Sequence, residues 1–479
     1  MNFSKSEYDA VVVGSGPNGL ACAIELARNK LSVVVIEKSE LAGGGLKTLE
    51  LTEPGFFHDV CSSGYPLAVA SPFLKNLPLA DHGLNWIYSP AEVAHPFADG
   101  TVALLKRSVQ ETAKAFPKDQ ESYCKLFEPF VSKFDSLMKE VLAPPLHFPH
   151  EAGLFARFGL KAILSAEHFG KKNFKDERAR ALFMGIAAHS SGSLTMPASA
   201  AVGLALHLAG HGSGWPIAEG GAKILSRALI SYFKSLGGEV ITGVEVKTVQ
   251  ALPKNKFVFF DLTPRQILEI AGEQLSPSVQ ASFKKYRYGP GVFKLDWALD
   301  QPIPWRNPET ALAATVHLGN YSEEIIRSEN SVNAGTLSND PFILLTQPTL
   351  FDRSRAPSGK HIAWAYCHVP NGSSIDRTEV MENQIERFAP GFRKTIIKRH
   401  VMFPRDLEAH NPNLIGGDIS GGLVNTRQLF FRPRMSLNPY RLDGKKYWIC
   451  SSSAPPGPGV HGMSGYHSAR AALQATYLI

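Results

Sequence analysis

The segment from Ala10 to Glu37 constrains this chain more than any other part of it. Ala10 to Val13 is a short apolar strand, and Gly14-Ser15-Gly16-Pro17-Asn18-Gly19 is a G-x-G-x-x-G loop. Leu20, Ala23, Ile24 and Ala27 follow at helical spacing, and Ser32 to Ile36 is a second strand, rich in valine. Unbroken apolar strands of this kind are buried on both faces, so the unit reads as β-turn-α-β. Gly14 permits the tight turn. Ser15 and Pro17 complete the loop. Gly16 leaves bare backbone where a pyrophosphate meets a helix N-terminus, and Gly19 lets helix and strand pack closely. Glu37, with Lys38 beside it, ends the second strand where an acid accepts hydrogen bonds from ribose hydroxyls. The glycine pattern alone is weak. Set between strand and helix, with its acid about twenty residues on, it predicts a Rossmann-type dinucleotide site. A glycine-rich turn in some other α/β protein is the competing reading.

A second glycine cluster, Gly43-Gly44-Gly45, follows closely and leads to Lys47-Thr48. Such a loop lets backbone meet a cofactor beyond its AMP half, which favours FAD over NAD. The sequence Leu41 to Thr48 resembles the di-glycine segment of the flavoprotein superfamily that includes carotenoid desaturases, amine oxidases and GDP-dissociation inhibitors. Gly220-Gly221 with Ile224, Leu225 and Leu229, then a strand from Thr242 to Val246, resembles that superfamily's adenine-side segment. Pro455 to Gly462 resembles its C-terminal flavin segment. In order and spacing the chain is similar to phytoene desaturase-like proteins over nearly its whole length. The resemblance implies non-covalent FAD held by Gly14, Ser15, Gly16, Pro17, Gly19, Glu37, Lys38, Gly43, Gly44, Gly45, Thr48, Val246, Ser452, Gly457, Gly459, Val460 and His461. Three departures stand out. Ser451-Ser452-Ser453 replaces a common Gly-Asp, Gly45 replaces a common arginine, and the connection from Lys247 to Lys256 is short. Gly457 to Gly462 again spells G-x-G-x-x-G, but only the helix from Tyr466 to Leu478 follows, with no further strand and acid. It therefore reads as a loop facing the flavin side of the same cofactor.

The fold class expected is α/β, with a Rossmann-type FAD-binding domain interleaved with a mixed-sheet plus helical substrate domain. Residues 1–70, 215–265 and 405–479 form the first, and 71–214 and 266–404 the second. Helical patterns run from Ser108 to Glu140 and from Leu154 to Ala188. Strand patterns dominate Tyr286 to Val369. A chain of 479 residues is long enough for two sizeable cores.

Composition narrows the partners. The net charge of +7 is mild for this length, and no Lys/Arg block interleaves with aromatics, so no nucleic acid is expected. Five cysteines, an odd number with no C-x-x-C pair, argue against a disulfide framework or a cysteine zinc site and suit a reducing, cytoplasmic setting. The polar start, Met1 to Tyr8, does not read as a signal peptide. No apolar run reaches the roughly 18 residues of a spanning helix. Leu154 to Arg180 mixes apolar residues with Arg157, Lys161, Lys171, Lys172 and Lys175. Such a helix can lie on an anionic bilayer and admit an apolar substrate. A helix packed on its own domain with a solvated basic face is the competing reading.

Hydride transfer to a flavin needs a substrate C–H held against the ring, with an acid or base for any accompanying proton. Tyr466, His461 and His189 are the catalytic candidates. Ser464-Gly465-Tyr466 resembles the amine oxidase segment that places one wall of an aromatic cage, and packing at a helix start is the alternative for Tyr466. His461 in a glycine loop and His189 before Ser190-Ser191-Gly192 have structural readings of equal or greater weight. His207 and His211 lack the glutamate of the zinc-protease pattern, so no metal is expected. Asp418 in Gly416-Gly417-Asp418 reads as a turn former. The leading function is an FAD-dependent dehydrogenase or desaturase acting on an apolar, isoprenoid or lipid-like small molecule. An amine oxidase, which needs a second aromatic wall and usually a lysine near the flavin, and a non-catalytic binding protein on the same fold are the alternatives. The oligomeric state is not readable.

Overall fold

The computed structural model describes residues 3–477. Leu478, the last residue of the predicted C-terminal helix, lies outside them.

Two sheets organise the chain. The nucleotide sheet has the edge-to-edge order Arg441–Asp443, Tyr447–Ile449, Lys254–Phe260, Glu7–Val13, Val33–Ile36, Glu239–Ile241. Its central strands pair in parallel, with Val11 opposite Val34 on one side and Val258 on the other. The helix Pro17–Arg28 begins directly after the loop and has proline in its first turn, where no intrahelical N–H is needed. It is buried almost throughout, because the C-terminal helix Met463–Tyr477 and the helix Ala222–Ser235 both lie on it. Gly465 makes that close crossing possible, since a Cβ there would collide with the Asn18 carbonyl.

The second sheet has seven strands, in the order Ile396–Met402, Gly291–Leu299, His361–Val369, Ile343–Thr346, Ala313–Leu318, Ala91–Pro96, Val102–Leu105. Pairing within residues 291–369 is antiparallel. Ala313–Leu318 then runs parallel to Ala91–Pro96, which makes the sheet mixed. A helical layer that includes Gln120–Val131, Ala152–Ala162, Glu177–Ala187 and Ala200–Gly212 packs beside it around Phe127, Phe130, Phe169 and Phe183.

One predicted strand is corrected. The strand after Gly238 ends at Ile241, and Thr242 to Val246 is irregular. Gly243, at a φ of +69°, turns the chain out of the extended region. Gly243 and Val244 still donate to the Ser39 and Glu37 carbonyls, so the segment follows the end of the second strand.

Candidate functional site

The glycine loop is tied to its acid from within. The Glu37 carboxylate accepts the Ser15 N–H at 2.9 Å and the Ser15 hydroxyl at 2.6 Å. Ser15 Oγ in turn accepts the Gly43 N–H at 3.0 Å, which fastens the second glycine cluster to the first. Gly14 stands at a φ of +99°, and a Cβ on Gly44 would sit 2.9 Å from the Gly16 Cα. Two stretches of bare backbone therefore meet with no side chain between them. That is the cradle a dinucleotide pyrophosphate requires, and the residues present fit FAD.

A residue that the sequence reading missed lies beneath this cradle. Asp261 directly follows the strand Lys254–Phe260, is 5% exposed, and sets its carboxylate against the backbone of Gly16 and Gly19. Burial pushes its carboxyl up to about 7, and the nearby Glu37 adds to the effect. A Cβ on Gly16 would collide with this carboxylate. The Cβ direction of Gly16 thus meets protein, which gives glycine a second reason at this position beside the backbone approach expected for the pyrophosphate. The signal was an acid closing the apolar run Phe257 to Phe260.

Other expected cofactor residues have structural partners. Lys38 pairs with Glu245 at the surface, 2.7 Å away. Thr48 donates to Asp59 at 2.7 Å and accepts the Lys223 N–H at 3.1 Å, which anchors the start of the helix Ala222–Ser235. Gly45 stands against Cys61, and Val246 is buried in the nucleotide-domain core. The Ser452 carbonyl accepts from the buried Arg432 at 2.9 Å. Arg432 also lies 3.2 Å from the position of a Gly457 Cβ, which places a cation against the C-terminal glycine loop. In that loop Gly457 and Gly459 have φ of +114° and +126°.

His461 staples the same loop. Its Nδ1 accepts the Met463 N–H at 3.0 Å, so its Nε2 carries the proton and donates to the Gly457 carbonyl at 3.2 Å. Burial lowers its pKa to about 4, and it is neutral at ordinary pH. Tyr466 lies elsewhere. Its ring packs against Phe73, with centroids 5.1 Å apart, in the nucleotide-domain core.

A cavity of about 880 Å³ runs from the C-terminal glycine loop to the helical layer. Gly459, Val460 and His461 line one end, Trp215, Leu345, Trp364 and Tyr366 the sheet side, and Phe155, Phe158, Ala162, Val202 and Leu206 the helical side. The charged residues that line it are Glu140 and Arg432. Glu140 is already bonded to His147 and to the His150 and Glu151 N–H groups.

His189 stands on the cavity wall. Its Nε2 shares a proton with His317 Nε2 across 2.9 Å. Burial lowers its pKa to about 3, and the neighbouring His368 adds to this. Burial and the flanking His189 and His95 hold His317 well below the ordinary imidazole range. Gly185 is needed here, because a Cβ would lie 2.9 Å from His317 Nδ1 and 3.1 Å from His95 Nδ1.

Behind the wall is a second feature that the sequence reading missed. Lys294 and Asp296 form a buried ion pair in the strand Gly291–Leu299, with His58 and His400 at 3.6 and 3.5 Å from Asp296. The Lys294 ammonium sits 5.0 Å from the Trp364 ring centroid. Burial opposes ionisation of Asp296, yet Lys294 and the two histidines hold its pKa below the usual range. The signal was two opposite charges at i and i+2 in a strand otherwise apolar. His207 and His211 both bond the buried Tyr123 hydroxyl, and no metal-holding cluster exists among the described residues. Asp418 accepts the N–H groups of Gly289, Ser420 and Gly422, as a loop former does.

Known proteins match this architecture. A family described as an NAD(P)-binding Rossmann-like domain matches residues 12–77. Pyridine nucleotide-disulfide oxidoreductase domain-containing protein 2 of Mus musculus is 25% identical, over 97% of this chain and 93% of its own length. The 4,4'-diapolycopen-4-al dehydrogenase of Metabacillus indicus is 23% identical, over 94% and 93%. The chain is a homologue of these oxidoreductases. Among solved structures, an oxidoreductase from Methanosarcina mazei has a TM-score of 0.64 at 15% identity, covering 96% of this chain and 99% of that one. Cyclohexylamine oxidase from Brevibacterium oxydans has a TM-score of 0.58 at 14% identity, covering 98% and 99%. These two likenesses bear on the fold. The present oxidoreductase shares with them its mixed α/β fold, a Rossmann-like sheet with helices. No helix among its described residues is long and apolar enough to cross a membrane.

Proposed function

We propose that this oxidoreductase binds FAD non-covalently and dehydrogenates an apolar, isoprenoid or lipid-like substrate, as its carotenoid-desaturase homologues suggest. The observation that carries this reading is the long apolar cavity that begins at the C-terminal glycine loop. Bound flavin supplies a hydride acceptor. The chain supplies the rest. Gly14 to Gly19, Glu37 and the Gly43 to Gly45 loop hold the nucleotide half, and Gly457 to His461 lie on the flavin side. His461 keeps its loop closed with both ring nitrogens engaged, so it positions and does not shuttle protons. Trp364, Tyr366, Phe155 and Phe158 exclude water and hold the substrate by burial, at about 25 cal/mol per Å² of apolar surface. His189 is the one cavity-wall imidazole not already bonded at both nitrogens, and it is the group placed to meet a polar atom of the substrate.

An amine oxidase is the second reading, and Lys294 behind Trp364 is the observation that favours it. Against it, the lining carboxylate Glu140 is saturated with hydrogen bonds and leaves no free acid for an ammonium. The test is an anaerobic flavin-bleaching screen of the purified protein with apolar alkenes, amines and amino acids. Bleaching by the alkenes supports the proposal, and bleaching by amines alone moves the assignment to the second reading. Protein purified without flavin, and unable to take it up, would point to a binding role. Acid precipitation should release the flavin into the supernatant, since non-covalent binding ends when the fold does.

A further inference from the structure

Fourteen large apolar side chains are exposed among the described residues, and eight of them fall in just two segments. Leu146, Phe148, Leu160 and Ile163 belong to the first, and Phe430, Phe431, Met435 and Leu437 to the second. Phe148 is 99% exposed and Leu437 90%. Leaving them in water has a cost, and contiguous patches of this kind mark interaction surfaces.

The two segments converge on the cavity. Leu160, Ile163 and Phe430 are at once exposed to solvent and part of the cavity lining, so they form its mouth. The loop carrying Leu146 and Phe148 joins the same rim, because His147 packs on Phe155 of the cavity helix at 5.3 Å. Basic residues border the rim. Arg157 and Lys161 share the cavity helix with Leu160, and Lys172 follows on the next. Among the described residues none of these three has an acidic partner, whereas the nearby acids Glu151 and Glu167 are taken by Lys133 and Lys171. Burial lowers the pKa of Lys161, and repulsion from Lys172 and Arg157 adds to it.

We propose that this rim docks on a lipid leaflet bearing anionic headgroups, with Phe148, Leu160, Ile163, Met435 and Leu437 inserted and the cavity mouth opening into the acyl region. The mixture of inserted apolar side chains and a basic border is the chemistry of an interfacial anchor. A second copy of the chain fits the same patch poorly. Twofold pairing would bring the Arg157, Lys161 and Lys172 clusters together and would seal the mouth. Docking stands or falls independently of the reaction, since it is read from lipid binding and not from turnover.

The test is flotation of the full chain, with its flavin, on vesicles of phosphatidylcholine with and without phosphatidylglycerol. The protein should float with the anionic vesicles at low salt and progressively less as salt is raised. The combined variant Phe148→Ser, Met435→Ser, Leu437→Ser touches no cavity-lining residue. It should partition roughly tenfold less or weaker still, with wild-type flavin content and circular dichroism. The pair Arg157→Glu, Lys161→Glu should lose the preference for anionic lipid. Wild-type protein that stays at the bottom at low salt overturns the proposal. So does a triple-serine variant that floats as well as wild type. Dimeric wild type that does not float, and that the triple-serine variant makes monomeric, would assign the patch to a second copy.

Discussion

The Asp261 carboxylate occupies the space that a side chain on Gly16 would need. It lies against the backbone of Gly16 and Gly19 from behind the loop, so an acid of the protein itself stands at the start of the nucleotide helix. This gives glycine a second reason at that position.

Gly16→Val should abolish FAD binding, because the added methyls displace the loop from Asp261 and carry the cradle with it. The double variant Gly16→Ala, Asp261→Ala separates the two explanations. If the collision is with Asp261, the double variant should recover flavin that Gly16→Ala alone has lost. Flavin content of purified protein, measured by absorbance, is the readout. Equal loss in both variants would return the pyrophosphate as the obstacle.

Asp261 also gives the fold a pH dependence. Its pKa is raised from 3.8 to about 7 in the folded state. Between those values the unfolded chain has released the proton and the folded chain keeps it, so the folded state binds more protons. Stability from this group therefore falls as pH rises from about 4 to 7, the reverse of an ion-paired aspartate. Asp261→Asn keeps the size and removes the titration. Thermal unfolding followed across that range should show a shallower decline in the variant than in wild type.

The nucleotide half of this molecule was legible because its physics is local. A strand, a glycine loop, a helix and an acid follow one another, and Ser15, Glu37 and Gly43 meet as their spacing implies. The second sheet was legible as strands but not as a site. His189 and His317 are 128 residues apart and meet only through sheet order. Lys294 and Asp296 could have been noticed, since two charges on one face of a buried strand must find partners. The strand predicted over Thr242 to Val246 failed for a local reason, the positive φ of Gly243. Family likeness pointed Tyr466 toward the flavin, whereas Gly465 serves the crossing of two helices and the Tyr466 ring meets Phe73.

That placement makes Tyr466 a packing residue. Tyr466→Phe should leave kcat and KM unchanged. Tyr466→Ala should lower stability by about 1–3 kcal/mol through lost apolar burial, read as a lower Tm, with turnover at permissive temperature close to wild type. A drop of about a hundredfold in kcat for Tyr466→Phe, at wild-type Tm, would show that its hydroxyl moves a proton after all.

The cavity offers a test in which stability and activity move in opposite directions. Gly159 lies within the helix Ala152–Ala162 and lines the cavity, and nothing stands within 4 Å of the position its Cβ would take. The first carbon of a Gly159→Leu side chain therefore meets nothing. Leucine favours a helix interior over glycine by roughly 0.5–1 kcal/mol, so Tm should rise or hold. The same side chain projects into the space claimed for substrate. For a long apolar substrate KM should rise several-fold, while flavin content stays at the wild-type level because the cofactor cradle lies at the far end. A shorter apolar substrate should be affected less, since once inside it can sit at the end next to Gly459 and Val460, clear of Gly159. If Gly159→Leu raises Tm and turns over long and short substrates as wild type does, the space beside the helix Ala152–Ala162 is not on the substrate's path, and the entrance must be sought elsewhere along the wall.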